Sequence, residues 1–478
     1  MHVKVIMSSL VLALLVGCGH DGDKNIDDEV SVLISSYALT GDPSTNRTIP
    51  SINSPKAQLG MKLFYTKGLG GDKDSACVTC HHPVLGGGDN LSLSVGVGAV
   101  IEDLLGEGRL HDASSAHYDG FAPVPRNAPS TLNIALWDSV LFWDGRVQSI
   151  TPNAGENGSV GGIRTPDSAF GFVDLSAGAN LTVAQARFPV TSPEEMKGFV
   201  FEAGNSNDVL RTALATRFVS QTITNTWQNE FDSVYGTNSV NFPNIVDAIG
   251  EYERSQVFVN TPWKAYVQGD TSAISTEAKH GAKLFFSSYE AGGMNCVMCH
   301  SGDFFTDESF HVAAMPQVGR GKGDGVEDDF GRMRESSDSV DKYAFRTPTL
   351  LNVEMTGPWG HAGGYTSLRA VVTHMVNPDT AVPGYDLSQL DSMVKTTNTA
   401  SNTALALAQL NANRTAGISP HQSVIATDGQ IDNLVEFLKT LTDPCTKDRN
   451  CLSPWIPDNL SGPDSLQLNA VDQASSLL

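Results

Sequence analysis

Hydrophobic side chains recur at helical spacing in two similar segments that lie far apart in the chain. The first covers residues 57–64 (AQLGMKLF) and the second covers residues 278–285 (AKHGAKLF), and a Cys-x-x-Cys pair follows each of them. A third amphipathic segment covers residues 246–257. Apolar residues three and four positions apart form one face of a helix. The periodicity is weak elsewhere, so we predict a mostly α fold with long loops.

The region after each cysteine pair repeats as well. Residues 126–133 (RNAPSTLN) begin 45 residues after His81, and residues 346–352 (RTPTLLN) begin 46 residues after His300. The repeat ends on a third matched pair, Trp143-Asp144-Gly145 and His361-Ala362-Gly363. Self-similarity on this scale indicates two copies of one structural unit.

We therefore predict two homologous domains in tandem, at residues 52–262 and 263–445, followed by a C-terminal tail at residues 446–478. The first copy carries an insertion at residues 101–122 and a glycine-rich stretch at residues 153–187. Loops of this length inside a compact domain are usually functional or decorate the surface.

The N-terminal residues have the pattern of an export signal. A basic start precedes an apolar run at residues 5–16, which is too short to span a membrane comfortably. Leu15-Val16-Gly17-Cys18 resembles a lipobox, in which the cysteine becomes lipidated. We expect a lipoprotein signal peptide at residues 1–17, a lipid on Cys18 and a flexible tether at residues 18–51, hence an exported periplasmic or cell-surface protein. An ordinary signal peptide with an incidental cysteine is the alternative.

Two Cys-x-x-Cys-His motifs carry the chemistry. They are Cys77-Val78-Thr79-Cys80-His81 and Cys296-Val297-Met298-Cys299-His300. In c-type cytochromes two thioethers attach the porphyrin, and the adjacent histidine becomes the proximal iron ligand. A zinc knuckle or a redox dithiol does not account for a histidine directly after both pairs. The sequence thus predicts two covalently bound haem c groups, one in each domain.

Two cysteines remain, Cys445 and Cys451, and they are six residues apart. In an oxidising compartment this spacing predicts a small local disulfide that closes the C-terminal region. Two free thiols are the alternative.

The chain carries a formal net charge of −22. Nucleic-acid binding needs clustered Lys and Arg, so this charge argues against that class of partner. An acidic surface suits a basic electron-transfer partner, with association that weakens as the salt concentration rises. Acidity that only keeps an exported protein soluble is an equal alternative.

Five short segments surround the two motifs: residues 126–129 (RNAP), 142–146 (FWDGR), 193–196 (PEEM), 252–254 (YER) and 347–353 (TPTLLNV). In this order they resemble the bacterial di-haem cytochrome c peroxidase family, which includes the tryptophan-modifying enzyme MauG. The resemblance extends from about residue 54 to residue 378. It implies that peroxide binds at the N-terminal haem and that the C-terminal haem transfers electrons.

The resemblance also assigns roles to individual side chains. Met375 matches the sixth ligand of the C-terminal haem iron, where a thioether raises the reduction potential, and His374 is the competing ligand. Glu195 matches the acid-base residue beside the peroxide site, and Glu194 is the alternative carboxylate. Trp143 matches a tryptophan that carries electrons between the haems, although a buried structural tryptophan would look the same.

A calcium site between the domains is implied by the same resemblance. It would use the side chain of Asn127 and the backbone carbonyl groups of Thr356 and Pro358. All three are oxygen donors, which suit a hard cation. An Asn-Ala-Pro sequence that only builds a turn is the alternative.

The chain departs from the family at one informative position. Many of these peroxidases place a removable histidine on the peroxidatic iron, in a Ser-x-Gly-His-Gly context, where this chain has Ser94-Val95-Gly96-Val97-Gly98. Valine cannot bind iron, so we expect an N-terminal haem that is open without reductive activation, as in MauG. If another residue blocks this iron, His111 and His117 in the nearby insertion are the first candidates.

The favoured function is a peroxidase that reduces H2O2 to water with electrons from a small cytochrome c or a cupredoxin. The alternative is a MauG-like oxidase that modifies Trp or Tyr of a partner protein. Met375 argues against that alternative, because MauG uses a tyrosine as this ligand, whereas Val97 favours it. A third hypothesis, a non-enzymatic di-haem electron carrier, is disfavoured by Glu195 and by the missing distal histidine.

Overall fold

The structure is a computed structural model that describes residues 25–220, 224–458 and 462–478. The predicted signal peptide at residues 1–17 and the lipid attachment at Cys18 lie outside these residues. In the described part of the chain, no helix combines the length and the apolar composition needed to cross a bilayer. The fold is mostly α with few strands, as predicted.

The helices of the described residues are α1 Ile26–Ser36, α2 Pro55–Tyr65, α3 Leu181–Ala186, α4 Asn207–Val219, α5 Trp227–Tyr235, α6 Phe242–Arg254, α7 Pro262–Val267, α8 Thr276–Phe286, α9 Met333–Ser336, α10 Leu368–Val376, α11 Pro378–Ala381, α12 Thr399–Thr415, α13 Asp428–Lys439 and α14 Arg449–Leu452. The strands are β1 Val140–Leu141, β2 Val147–Ser149, β3 Ile163–Arg164, β4 Phe310–Val312 and β5 Ala344–Arg346. One antiparallel sheet has the order β1-β2-β3, and β4 pairs with β5 in the other.

Serine caps start the two helices that precede the cysteine pairs. The Ser54 hydroxyl accepts a hydrogen bond from the backbone N–H of Ala57 (3.1 Å) at the start of α2. The Ser275 hydroxyl accepts one from the backbone N–H of Ala278 (3.1 Å) at the start of α8. Such a cap satisfies a backbone donor that the first turn of a helix leaves free. These two helices confirm the segments predicted from hydrophobic spacing.

The two halves share one kind of helix crossing. In the first half α2 packs on α6, and in the second half α8 packs on α13. A Cβ atom added at Gly60 would lie 1.9 Å from the carbonyl oxygen of Ala248, and one added at Gly281 would lie 1.9 Å from that of Asn433. Only glycine lets the backbones approach this closely. Each cysteine pair therefore follows a helix that is held by the same contact.

The matched asparagines of the repeat meet at a single carbonyl group. Asn133 and Asn352 both adopt the left-handed conformation, with φ of +63° and +60°. Their side-chain amides donate hydrogen bonds to the carbonyl oxygen of Phe258, at 3.2 Å and 3.0 Å respectively. Phe258 lies in the connection between α6 and α7, so this connection ties the two halves together.

The segment predicted as a flexible tether contains α1, which packs against α8 of the second half. Lys279 pairs with Asp27 at 2.8 Å, and Val30 is fully buried. Farther along, the backbone N–H of Gly41 donates to the carboxylate of Asp303 (2.8 Å). The tether prediction was wrong for these residues, because the polar side chains that suggested a solvated linker have partners in the second half.

The C-terminal tail packs on the first half. The backbone N–H of Leu468 donates to the carbonyl oxygen of Tyr65 (2.8 Å), at the end of α2. The predicted disulfide between Cys445 and Cys451 is confirmed. Each end of the chain therefore packs on the half that is more distant in sequence, which fastens the two halves to each other.

Candidate active site

A cavity in the first half brings the first cysteine pair together with distant side chains. Cys77, Cys80 and His81 form part of its wall, and Glu195 and Lys322 also line it. Lys322 belongs to the second half of the chain, so both halves build this cavity. His81 is the only histidine among the described residues that line it.

A second, larger cavity lies in the other half. Cys296, Cys299 and His300 line it, and Met375 from α10 lies in the same wall. The structure therefore gathers each Cys-x-x-Cys-His motif at a cavity of its own, as two attached haem groups require.

Both motif histidines are held in the same orientation by the backbone. The Nδ1 atom of His81 donates to the carbonyl oxygen of Gly87 at 3.0 Å, and Nδ1 of His300 donates to the carbonyl oxygen of Phe305 at 3.1 Å. A hydrogen bond at Nδ1 fixes the tautomer and leaves Nε2 free to bind a metal. Burial lowers the pKa of both imidazoles, to about 4 for His300, which favours the neutral form that ligates iron.

Buried polar atoms without partners line the same cavities. In the first cavity an oxygen of Glu253 has no hydrogen-bond partner among the described residues, and burial raises the pKa of this carboxyl to about 8. In the second cavity Nη1 of Arg346 and both ring nitrogens of His361 are unpartnered in the same sense. Such atoms are rare in folded proteins. Together with the thiol pairs and the two motif histidines, they fit a porphyrin that carries two carboxylates.

Glu195 lies on a π-helical turn at Pro193–Lys197 and lines the first cavity. Burial raises the pKa of its carboxyl, and the cations of Arg146 and Lys322 oppose that rise. The neighbouring Glu194 does not line the cavity, and its carboxylate accepts a hydrogen bond from the Ser192 hydroxyl at 3.2 Å. Of the two carboxylates predicted from the sequence, only Glu195 can therefore meet a molecule bound there.

Trp143 lines both cavities. Its indole N–H donates to the backbone carbonyl of Asn127 at 2.9 Å, and its own carbonyl oxygen accepts from the backbone N–H of Arg346 at 2.9 Å. The side chain is buried, with 9% of its surface exposed. It thus lies between the two cavities, and its role as an electron carrier stays a prediction.

A buried ion cluster beside Trp143 was not predicted from the sequence. The guanidinium of Arg126 pairs with Asp144 at 2.6 Å and with Asp329 at 2.6 Å. Arg126 holds the pKa of both carboxyls below the usual range. Arg126 and Asp144 lie in recognisable motifs, but nothing in the local sequence indicates that Asp329 from the second half completes the cluster. Lys322 was missed for the same reason.

The two candidate ligands in α10 differ in their surroundings. The ring of His374 is fully engaged, because Nε2 donates to the Ala313 carbonyl and Nδ1 accepts from the Tyr365 hydroxyl, both at 2.8 Å. Met375 lines the second cavity, and so does Met315. The backbone carbonyl of Met375 accepts a hydrogen bond from Nε2 of His421 at 2.7 Å. This geometry favours Met375 over His374 as the sixth ligand, which stays a prediction.

The three predicted calcium ligands, Asn127, Thr356 and Pro358, all line the second cavity. The side-chain amide of Asn127 donates through Nδ2 to the carbonyl oxygen of Leu91 at 2.9 Å. Its Oδ1 atom accepts no hydrogen bond from the described residues. The oxygen that the site requires is therefore available, and calcium binding itself stays a prediction.

The histidines that could block the first site point elsewhere. Nδ1 of His111 donates to the carbonyl oxygen of Phe121 at 3.1 Å, and the ring of His117 stacks on Phe199 with centroids 3.7 Å apart. Neither lines the first cavity, and Val97 does not line it either. The structure therefore offers no second histidine ligand within the described wall of this cavity.

Comparison with known proteins places these features in context. A protein-family model described as di-haem cytochrome c peroxidase matches residues 54–272. The methylamine utilization protein MauG of Methylorubrum extorquens is 29% identical over 338 residues, which cover 70% of this chain and 71% of MauG. The cytochrome c551 peroxidase of Nitrosomonas europaea is 24% identical over 345 residues, which cover 71% of this chain and 80% of that protein.

A solved structure shows a similar fold. The diheme peroxidase BthA from Burkholderia thailandensis superposes with a TM-score of 0.53 at 18% sequence identity, and the match covers 89% of this chain and 92% of BthA. A MauG-like protein associated with microbial copper homeostasis gives a TM-score of 0.52 at 18% identity, covering 86% of this chain and 97% of that protein. Both matches extend well beyond residue 272, so the second half shares this fold as well.

Proposed function

We propose that the chain is a member of the di-haem cytochrome c peroxidase family, an oxidoreductase that acts on hydrogen peroxide, and that its two halves divide that work. Each half is a cytochrome c-like domain with one attached haem. The first half reduces H2O2 to water beside Glu195. The second half takes up electrons one at a time from a small cytochrome c or a cupredoxin.

Haem bound at His81 would supply an iron site for peroxide, and haem bound at His300 would supply a store for one electron. Glu195 performs the proton transfer. Its carboxylate accepts a proton from one oxygen of H2O2 and returns it to the oxygen that leaves, so that O–O cleavage yields water rather than hydroxide. Two further protons and two electrons complete the conversion of one H2O2 to two water molecules. The cations of Arg146 and Lys322 oppose the rise that burial causes in the pKa of Glu195.

The observation that carries the proposal is the position of Trp143 in the walls of both cavities. An indole there can pass electrons from the second site to the first. Trp143→Phe should slow donor-driven H2O2 turnover about tenfold or more, equivalent to a barrier increase of about 1.4 kcal/mol. Stopped-flow reduction of the second haem by the donor should keep its wild-type rate.

Trp137→Phe is the matched control, because Trp137 is also buried and, of these two cavities, lines only the second. That variant should turn over like the wild type. Equal slowing in both variants, or wild-type turnover in Trp143→Phe, would remove Trp143 from the electron path.

We also propose that Ca²⁺ binds at Asn127, Thr356 and Pro358. The free Oδ1 of Asn127 and the shared cavity wall support this assignment. Exhaustive chelation should slow electron transfer between the haems, and Asn127→Ala should have the same effect. Metal analysis of the purified protein provides the direct check, and a protein that contains no calcium and is indifferent to chelators would exclude the site.

For localisation, we propose export to the periplasm or the cell surface with a lipid on Cys18. The lipobox-like sequence and the disulfide between Cys445 and Cys451 support an oxidising compartment. The net charge of −22 suits a basic electron donor.

A second candidate function follows from the open first cavity. No second histidine among the described residues lines it, which leaves the site open to peroxide. The second candidate is therefore a MauG-like oxidase that modifies Trp or Tyr of a partner protein. Mass spectrometry of neighbouring secreted proteins after reaction with H2O2 separates the two functions. A modified partner residue would favour the oxidase, whereas turnover of reduced cytochrome with no such product favours the peroxidase.

A further inference from the structure

Arg109 is a buried residue of the 101–122 insertion that the proposed reaction does not use. Its side chain makes hydrogen bonds only to backbone carbonyl groups. Nε donates to Val95 at 2.7 Å, and Nη2 donates to Gly96 at 3.0 Å. Nη1 donates to three more carbonyl oxygens, those of Leu104 (2.7 Å), Glu102 (2.9 Å) and Ile101 (3.3 Å). The guanidinium therefore joins two separate stretches of backbone.

Burial of a cation in such surroundings is unfavourable for the free energy of folding. Arg109 is 2% exposed and forms no ion pair among the described residues, and burial lowers its pKa. Burial of a charge loses more hydration free energy than burial of a neutral residue. Carbonyl dipoles and the more distant carboxylates of Asp74, Asp89 and Asp103 offset part of that loss. The planar fork of arginine, however, carries five N–H donors and can bridge two stretches of backbone at once, whereas a neutral Asn or Gln amide has only two. These hydrogen bonds indicate that Arg109 holds residues 95–96 against residues 101–104.

One of the two fastened stretches touches the turn that carries Glu195. The backbone N–H of Val97 donates to the carbonyl oxygen of Glu194 at 3.3 Å. A Cβ atom added at Gly96 would lie 2.4 Å from the carbonyl oxygen of Glu194 and 2.5 Å from that of Glu195. The two backbones are thus in direct contact, so a displacement of residues 95–97 should also displace the backbone of Glu195.

The insertion that supplies Arg109 is itself braced. The backbone N–H of Val100 donates to the carbonyl oxygen of Leu110 at 3.0 Å, so the insertion folds back on its own start. The backbone N–H of Leu105 donates to the carbonyl oxygen of Val471 at 3.0 Å, which anchors the insertion to the C-terminal tail. The backbone that carries Arg109 is therefore held by contacts that do not involve residues 95–97.

We propose that Arg109 is a positioning residue that fixes residues 95–97 against the Glu195 turn and thereby aims the Glu195 carboxylate into the first cavity. This inference rests on the proposed role of Glu195 in proton transfer. The other flank of the turn is held independently, because the backbone N–H of Gly71 donates to the carbonyl oxygen of Met196 at 2.8 Å. Loss of Arg109 should therefore displace the turn rather than unfold it.

The test is a double-mutant cycle on the purified di-haem protein, with rapid mixing of the oxidised form with H2O2. Arg109→Met should slow the reaction about 10- to 100-fold, since displacement of a catalytic group by ~1 Å has an effect of this order. In a Glu195→Gln background the same substitution should slow the reaction less than about threefold, because the effects of two residues that act through one another are not additive. Fully additive losses would overturn the proposal.

Arg211→Met is the matched control. Arg211 is also buried and donates to a backbone carbonyl, that of Arg187 at 3.2 Å. Unlike Arg109 it also pairs with Asp167, at 2.6 Å, and none of its hydrogen bonds or ion pairs to the described residues reaches residues 95–97. Hydrogen exchange should rise at residues 94–98 and 192–197 in Arg109→Met and stay unchanged there in Arg211→Met. If Arg211→Met slows the peroxide reaction equally, the effect is a general loss of stability and the proposal fails.

Arg109→Lys supplies a second variant should the methionine variant fold poorly. Lysine keeps the charge but presents a single nitrogen, so it should not bridge both stretches, and wild-type exchange and rate in this variant would contradict the proposal. Failure of the proposed function gives a different result. In that case Glu195→Gln would react at the wild-type rate, whereas Arg109→Met would still increase exchange at residues 94–98.

Discussion

Glu195→Gln should slow the reaction of the oxidised protein with H2O2 by about 10²–10⁴-fold, the usual contribution of a positioned acid-base group. The amide has nearly the same shape as the carboxyl but cannot accept the peroxide proton. Haem attachment and both proximal histidines should be unaffected, because no hydrogen bond between described residues joins the backbone of Glu195 to either motif. Rapid mixing followed by optical spectroscopy measures the rate directly.

The pH dependence adds a second expectation for the same residue. Burial raises the pKa of Glu195, and the charge of Glu194 adds to that rise, while Arg146 and Lys322 oppose it. A base works only when ionised, so the rate should fall as the pH drops through this raised pKa. The fall should occur at a higher pH than an exposed glutamate would give, and it should vanish in Glu195→Gln.

Glu194→Gln is the control for both measurements. Glu194 lies on the same turn, but its carboxylate accepts a hydrogen bond from the Ser192 hydroxyl and does not line the cavity. This variant should keep wild-type rates to within a small factor and retain an acid limb, shifted to lower pH because the charge of Glu194 no longer raises the pKa of Glu195. A large loss in Glu194→Gln with none in Glu195→Gln would exchange the roles of the two carboxylates.

Met375→Ala should remove the low-spin His/Met signature of the C-terminal haem and lower its reduction potential, while both haem groups remain attached. A thioether stabilises the reduced iron, so its loss makes the second site a poorer electron acceptor. Donor-driven turnover should fall with the potential. Absorption spectroscopy and a redox titration of the variant provide the measurement.

Met315→Ala is the matched control, because Met315 lies in the wall of the same cavity, as Met294 and Met298 also do. The His/Met signature should persist in that variant. Loss of the signature in Met315→Ala would transfer the ligand role to Met315, and an unchanged spectrum in both variants would require a different ligand. His374 is a poor substitute, since both of its ring nitrogens already have partners.

The sequence predicted those parts of the structure that depend on local pattern. The helices before the cysteine pairs follow hydrophobic spacing and serine caps, and the disulfide follows from two cysteines six residues apart. The predicted ends of the helices were less accurate than the prediction that these helices exist. Helix α6 begins at Phe242, four residues before the predicted amphipathic segment, because Asn241 caps it by accepting from the backbone N–H of Asn244 at 2.9 Å.

Features that depend on long-range contacts could not be predicted. The carboxylates of Asp27 and Asp329 look like solvated surface groups in the sequence, yet each pairs with a cation far away in the chain. Arg109 has no local signal either, because its acceptors are backbone carbonyl groups, which every residue type possesses. Lys322 reaches the first cavity only because the two halves meet there.

The most direct test of the account is a spectroscopic and kinetic measurement on the fully oxidised protein as it is purified. His81 is the only histidine among the described residues that line the first cavity, so one haem should be high-spin and the other low-spin. H2O2 should react at once, without prior reduction. Two low-spin haems, with no peroxide reaction until the protein is half reduced, would contradict the central claim that the first site is open from the start.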